Sequence, residues 1–132
     1  MSVKSVAAKL LIKPGTAVWL SHAPQLELLQ PIPENVDIVD DIADASTALI
    51  FADSAVTLRD TLVEYKDDLQ KPSVLWVAYP KGNKADINRD TLWPMLADYQ
   101  MRPIGQVAVD DVWSALRFRP LKEGEAQFTG GK

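Results

Sequence analysis

Two apolar runs dominate the chain. Ser73 to Lys81, SVLWVAYPK, is almost unbroken between Pro72 and Pro80, and Thr47 to Ala52, TALIFA, repeats the pattern upstream. Runs of this length without polar alternation are the signature of strands buried on both faces. Between them, Ala55 to Gln70 predicts a helix capped by Asp53 or Ser54, with Val56, Leu58, Leu62, Val63, Tyr65 and Leu69 largely on one side. Gly82 to Lys84 then turns the chain into a second helix, capped by Asp90 or Thr91 and running through Tyr99. Pro94 is tolerable in that helix if it lies in the first turn, where a missing N–H costs little. Strand 74–79 therefore sits inside a βαβαβ series, near the centre of a sheet.

The flanks complete the pattern. Val6, Ala7, Leu10 and Leu11 fall at helical spacing within Ser2 to Ile12, and Pro14-Gly15 ends that helix. Ala17 to Leu20 reads as the first strand, Gln25 to Gln30 as one or two helical turns, and Val36 to Val39 as a short strand between acidic flanks. Downstream, Gln106 to Arg119 forms a hairpin around Asp110-Asp111. With that pair as the turn, Val107 and Val109 share a face with Val112, Leu116 and Phe118, while Trp113, Ala115, Arg117 and Arg119 share the other. For strands beginning near 17, 36, 47, 74, 104 and 112, the expected sheet order is 2-1-3-4-6-5 with only the last antiparallel. The fold class is a three-layer α/β sandwich, a mostly parallel sheet with an antiparallel C-terminal hairpin. Residues 1–120 form its single domain, and the polar, glycine-rich residues 121–132 form a flexible tail.

Composition narrows the chemistry. The 132 residues include no cysteine and one histidine, so disulfides, thiolate nucleophiles and multi-histidine metal sites are excluded. A net charge of −4 disfavours nucleic acid and anionic membranes as partners. No apolar run approaches the roughly 18 to 20 residues of a membrane span, and the N-terminus lacks the apolar core of a signal peptide; the chain reads as cytoplasmic.

The succession of IKPGTAVWL, TALIFAD, a helix, KPSVLWVAYPK, another helix and VAVDDVWSALRFRP resembles an abridged class I S-adenosylmethionine-dependent methyltransferase. The phrases AYPKGNKADINRDTLWPML and VDDVWSALRFRP are more similar to a family of small bacterial methyltransferase-like proteins, described as a domain of unknown function. The resemblance spans roughly residues 8 to 120 and implies a Rossmann-like fold. In the methyltransferases the first strand runs into a glycine-rich loop that lets the backbone approach the cofactor, and an acid after the second strand binds the ribose. Here Asp40 or Asp41 stands at the acid's position. The loop is Ser21-His22-Ala23-Pro24-Gln25, with no glycine and with a donor removed at Pro24. The chain is also shorter than that superfamily by about a strand and a helix. The expectation is a binding or interaction module without a cofactor, S-adenosylmethionine being disfavoured; the alternatives are a divergent methyltransferase and a binder of a small anionic ligand.

Ligands of open α/β sheets gather at the carboxyl ends of the strands. That rule places Ser21, His22, Asp53, Ser54 and Tyr79 around one concavity, with Lys81 and Lys84 on its rim. Ser21, His22 and an aspartate do not make a hydrolase, because adjacent residues at a strand exit point opposite ways and no G-x-S-x-G elbow is present. The Lys81 to Lys84 turn lacks P-loop spacing, and Asp110-Asp111 reads as a solvated turn rather than a cation site. Among the tryptophans Trp76 belongs to the core. Trp113, beside Arg117 and Arg119, marks a candidate surface for a protein partner.

Overall fold

Every residue of β3 (Thr47–Phe51) is buried, as are the five central residues of β4 (Val74–Pro80). A computed structural model describes residues 6–22, 26–27, 29–30, 32–81, 87 and 89–121. β3 and β4 pair in parallel from Thr47↔Val74 to Phe51↔Ala78. Around them lie β1 (Ala17–Leu20), β2 (Asp37–Ile38), β5 (Met101–Ala108) and β6 (Trp113–Pro120), in the order β2-β1-β3-β4-β6-β5. Only β6 runs against the rest. The expected order and the central position of β4 are both found. Segment 36–39 joins the sheet, with Val39 N–H donating to the Val18 carbonyl at 2.9 Å. A 3-10 turn at Ile42–Asp44 then carries the chain back over β1 and buries Ile42.

The two faces are covered by different parts of the chain. Ala48, Ile50, Leu75, Val77, Leu116 and Phe118 meet α2 (Ala55–Glu64) through Leu58 and Leu62, and α3 (Arg89–Ala97) through Leu92 and Leu96. Leu49, Phe51, Trp76, Ala78 and Ala115 meet Ala7 of α1 (Val6–Lys9) together with Leu10, Ile12 and Leu29. At the centre of this second face the buried Trp76 Nε1–H donates to the Leu10 carbonyl at 2.9 Å. The bond gives the indole a polar partner inside an apolar layer, where an unpaired group is costly.

Helix ends depart from the sequence pattern. α1 stops at Lys9, before the Pro14-Gly15 turn, in a Schellman arrangement: Leu11 takes a left-handed φ of 66°, with Ile12 N–H donating to Ala7 O and Leu11 N–H to Ala8 O. α2 stops at Glu64 rather than near Gln70, and only Leu58 and Leu62 of its length are buried. Val56 and Val63, seven residues apart, share the solvent side. Pro94 falls beyond the first turn of α3, so one helical bond to residue 90 is forgone. The residues 2–5 of the expected first helix and the tail from 122 onward lie outside the described residues.

The hairpin departs most. Asp110 Oδ1 accepts from the N–H groups of Val112 and Trp113, and Val109 N–H donates to the Trp113 carbonyl. The loop is therefore three residues, 110–112, instead of two. That single extra residue flips the relation between the strands. Val107 pairs with Ala115 and Gln106 with Leu116, so Val107 and Val109 lie with Trp113 and Ala115, away from Leu116 and Phe118. At the sheet edge, β5 is interrupted by Pro103 and an irregularity between Pro103 and Gly105, features that blunt edge-to-edge pairing. No helix among the described residues is long and apolar enough to cross a membrane.

Trp76→Phe removes the indole donor and leaves the Leu10 carbonyl unpaired. It is expected to lower unfolding stability by about 2–4 kcal/mol, read as a reduced urea midpoint with an unchanged slope. A second expectation concerns Tyr65, whose ring meets Trp19 edge-on at 4.8 Å. Burial, and then the charge of Glu64, raise its phenol above the ordinary value of 10.0. The folded state thus holds this proton more tightly than the unfolded chain. Its contribution is complete below 10.0 and is lost as pH rises through the higher folded value. Denaturant titrations at increasing alkaline pH should therefore show falling stability, and Tyr65→Phe should lessen the fall.

Candidate functional site

β1, β2, β3 and β4 are mutually parallel, so their carboxyl ends open on one edge of the sheet. Ser21 follows β1 directly. Its N–H donates to the Leu49 carbonyl at 2.9 Å, and its Oγ accepts from Phe51 N–H at 2.7 Å. The hydroxyl is thereby fixed between the tips of β1 and β3, its own proton taking no acceptor among the described residues. His22, next in the chain, is exposed.

Beyond β3, Ser54 caps α2. Its Oγ accepts from Thr57 N–H at 3.1 Å and donates to Thr57 Oγ1 at 3.0 Å. Thr57 Oγ1 lies 3.4 Å from Asp53 Oδ1, and Thr61 Oγ1, one turn on, donates to the Thr57 carbonyl. Ser21, His22, Phe51, Asp53, Thr57, Thr61 and Trp113 together line a cavity of about 350 Å³. Trp113 reaches it because β6 sets it opposite Pro80, and its half-buried ring meets Phe51 edge-on at 5.5 Å.

The expected single concavity is thus two. Ser21, His22 and Asp53 come together, whereas Tyr79 and Lys81 line a separate cavity with Gln106 and Ser114. Ser54 serves the helix start, and Lys84 lies outside the described residues. Trp113, Arg117 and Arg119 do share a strand face, yet all three are partly buried. Arg117, paired with Trp76, has its Nε buried without a hydrogen-bond partner among the described residues, and Arg119 Nη1 donates to the Pro120 carbonyl. Phe51, Thr57 and Thr61 carry no motif; only the i, i+4 spacing of the threonines just inside a helix start marks them.

The acidic pair after β2 divides by role. Asp41 Oδ1 accepts from Ala43 N–H at 2.9 Å and caps the 3-10 turn. Asp40 is exposed and takes no hydrogen bond among the described residues. Among those residues no three histidine or carboxylate side chains gather where they would hold a metal ion.

No family model matches the chain, and no curated protein matches its sequence. Its fold is found in solved structures. A Streptococcus agalactiae protein of the NADB-Rossmann superfamily matches 98% of this chain and 72% of its own, at 13% identity and a TM-score of 0.56. The M1A22 tRNA methyltransferase of Bacillus subtilis matches 96% of this chain and 71% of its own, at 11% identity and a TM-score of 0.55. A putative tRNA (m1A22) methyltransferase of Streptococcus pneumoniae, in complex with S-adenosyl-L-methionine, matches 95% and 73%, at 11% identity and a TM-score of 0.55.

The architecture is therefore the Rossmann-like fold of S-adenosylmethionine-dependent methyltransferases. The expectation that the chain carries no cofactor, drawn from the glycine-free loop after β1, is corrected by this likeness: a chain of the same fold is solved with S-adenosyl-L-methionine bound. Residues 23–25 of that loop lie outside the described residues; beside it, the tips of β1 and β3 are held by the Ser21 hydroxyl.

Ser21→Ala deletes that clasp and strands the Phe51 N–H in a partly buried position. A loss of about 1–3 kcal/mol is expected in urea unfolding, with Ser21→Thr retaining most of it.

Proposed function

We propose that the chain is a divergent methyltransferase that binds S-adenosylmethionine across the carboxyl ends of β1, β2 and β3. The observation that carries this reading is the cavity of about 350 Å³ at the tips of β1 and β3, in a fold shared with a putative methyltransferase solved in complex with S-adenosyl-L-methionine. Its size falls within the roughly 300–1,000 Å³ usual for ligand pockets, and strand tips at a topological switch point are where such folds bind nucleotides.

The residues present fit the group. Asp40, with no other bond to satisfy, has the chemistry to accept from ribose hydroxyls at the end of β2. Ser21 has a proton to donate once its oxygen has accepted from Phe51. Phe51 and Trp113 supply an apolar aromatic wall, and Asp53 and the threonines a polar one. When bound, S-adenosylmethionine supplies an activated methyl group. His22 and Asp53 are the lining groups able to take up a proton from an acceptor. The acceptor we infer is a small molecule, because a net charge of −4 works against holding a polyanion.

Isothermal titration and thermal-shift measurements with S-adenosylmethionine and S-adenosylhomocysteine test the reading. Saturable binding is expected, with Asp40→Asn weakening it about tenfold or more, and a ligand at about 100 times its Kd adding about 2.7 kcal/mol of stability. No heat and no shift in melting temperature at millimolar ligand would refute it.

A further inference from the structure

The second cavity, of about 490 Å³, belongs to no part of the cofactor reading and does not depend on it. Tyr79, Lys81, Gln106, Val107, Ala108 and Ser114 line it. It exists because of what the register places at the top of the α2 and α3 face of the sheet. Lower on that face the paired positions are apolar: Leu75 beside Phe118, and Val77 beside Leu116. One row higher, Tyr79 pairs with Ser114, and Ser114 with Ala108. Two small side chains beside a large one leave a hollow where the rows below are filled.

The hollow is polar in a particular way. Gln106 Nε2 donates to Tyr79 Oη at 3.0 Å and to Ser114 Oγ at 3.1 Å. Ser114 Oγ–H donates to the Val107 carbonyl at 3.2 Å. The serine proton and both N–H donors of the glutamine amide are thereby spent. The phenol of Tyr79, with its residue only 5% exposed, accepts one bond and has no acceptor among the described residues for its own proton. A buried donor left over in this way calls for an acceptor atom. Beside it Lys81, fixed through its backbone N–H to the Val112 carbonyl at 2.7 Å, makes no ion pair among the described residues. One unspent O–H donor and one ammonium without an ion pair among the described residues, beside the apolar side chain of Ala108, describe a site for an anion on a small organic body.

We propose that this cavity binds a small molecule through a carboxylate or phosphate group, with Lys81 Nζ supplying the countercharge and Tyr79 Oη–H the oriented hydrogen bond. A fixed neutral donor beside a flexible cation selects for an oxyanion over a simple halide, because only the oxyanion offers lone pairs to both at once.

The test is a ¹H–¹⁵N titration of the full chain with inorganic phosphate and, separately, malonate, each against sodium chloride at equal ionic strength and without S-adenosylmethionine. The expected result is saturable displacement of the Gln106 side-chain amide and the Lys81 and Ser114 backbone signals by at least one oxyanion, and none by chloride. The stronger of the two identifies the anionic group. Lys81→Ala should weaken binding about tenfold or more, and Tyr79→Phe several-fold, with both variants folded by the dispersion of the same spectra. Lys81→Ala should leave S-adenosylmethionine binding unchanged, which separates this site from the cofactor reading. Displacement no larger than chloride produces, or either folded variant binding as tightly as the parent chain, would overturn the assignment.

Discussion

A parallel strand pair buried on both faces imposes a demand the rest of the chain must meet. β3 and β4 present apolar side chains on two sides, so each side needs a layer, and the connections determine which segments supply it. The crossovers from β3 to β4 and from β4 to β5 travel in one direction along the sheet, and right-handed connection puts α2 and α3 on the same face. The opposite face falls to residues far away in sequence. One turn of helix and the segment around Leu29 suffice there because Trp76 fills much of the layer itself, and the Leu10 carbonyl relieves the indole of its one polar liability.

The same arrangement accounts for two cavities rather than one. Along the strand-end edge, the clasp between Ser21 and Phe51 holds β1 against β3, and Trp113 closes the crevice from the hairpin side. Tyr79 is on the other face of the pleat from Trp113's neighbours Ala78 and Ala115, and its hydroxyl is drawn toward β5 by Gln106. A residue at the end of a strand can be assigned to the right edge of a sheet from sequence, but which side of that edge it serves depends on side-chain alternation counted from a pairing partner.

That distinction marks where the sequence was legible. The strand order follows from continuous apolar runs, breakers and the chirality of crossovers, all of which are local or general. Asp110 and Asp111 look alike in the sequence, whereas in the structure only Asp110 turns its carboxylate onto two backbone N–H groups and adds a residue to the loop. The facing of Val107 and Val109 reversed with it. Similarly, Asp40 and Asp41 are indistinguishable as letters, and separate only when one of them caps the turn under which Ile42 is buried. In both pairs the deciding interaction is a short hydrogen bond, or two, from a backbone whose path is set by tertiary packing.

The bond between Trp76 and Leu10 joins residues 66 apart. During synthesis the segment that forms α1 is made well before β4, and the surface it covers is incomplete until β4 has been made. Closing a loop of that length adds little entropic cost over a shorter one, since the cost grows only with the logarithm of length, but it delays the contact relative to the local pairing of β5 with β6. Until then one apolar face of the nascent sheet stands uncovered, and α1 waits for β4.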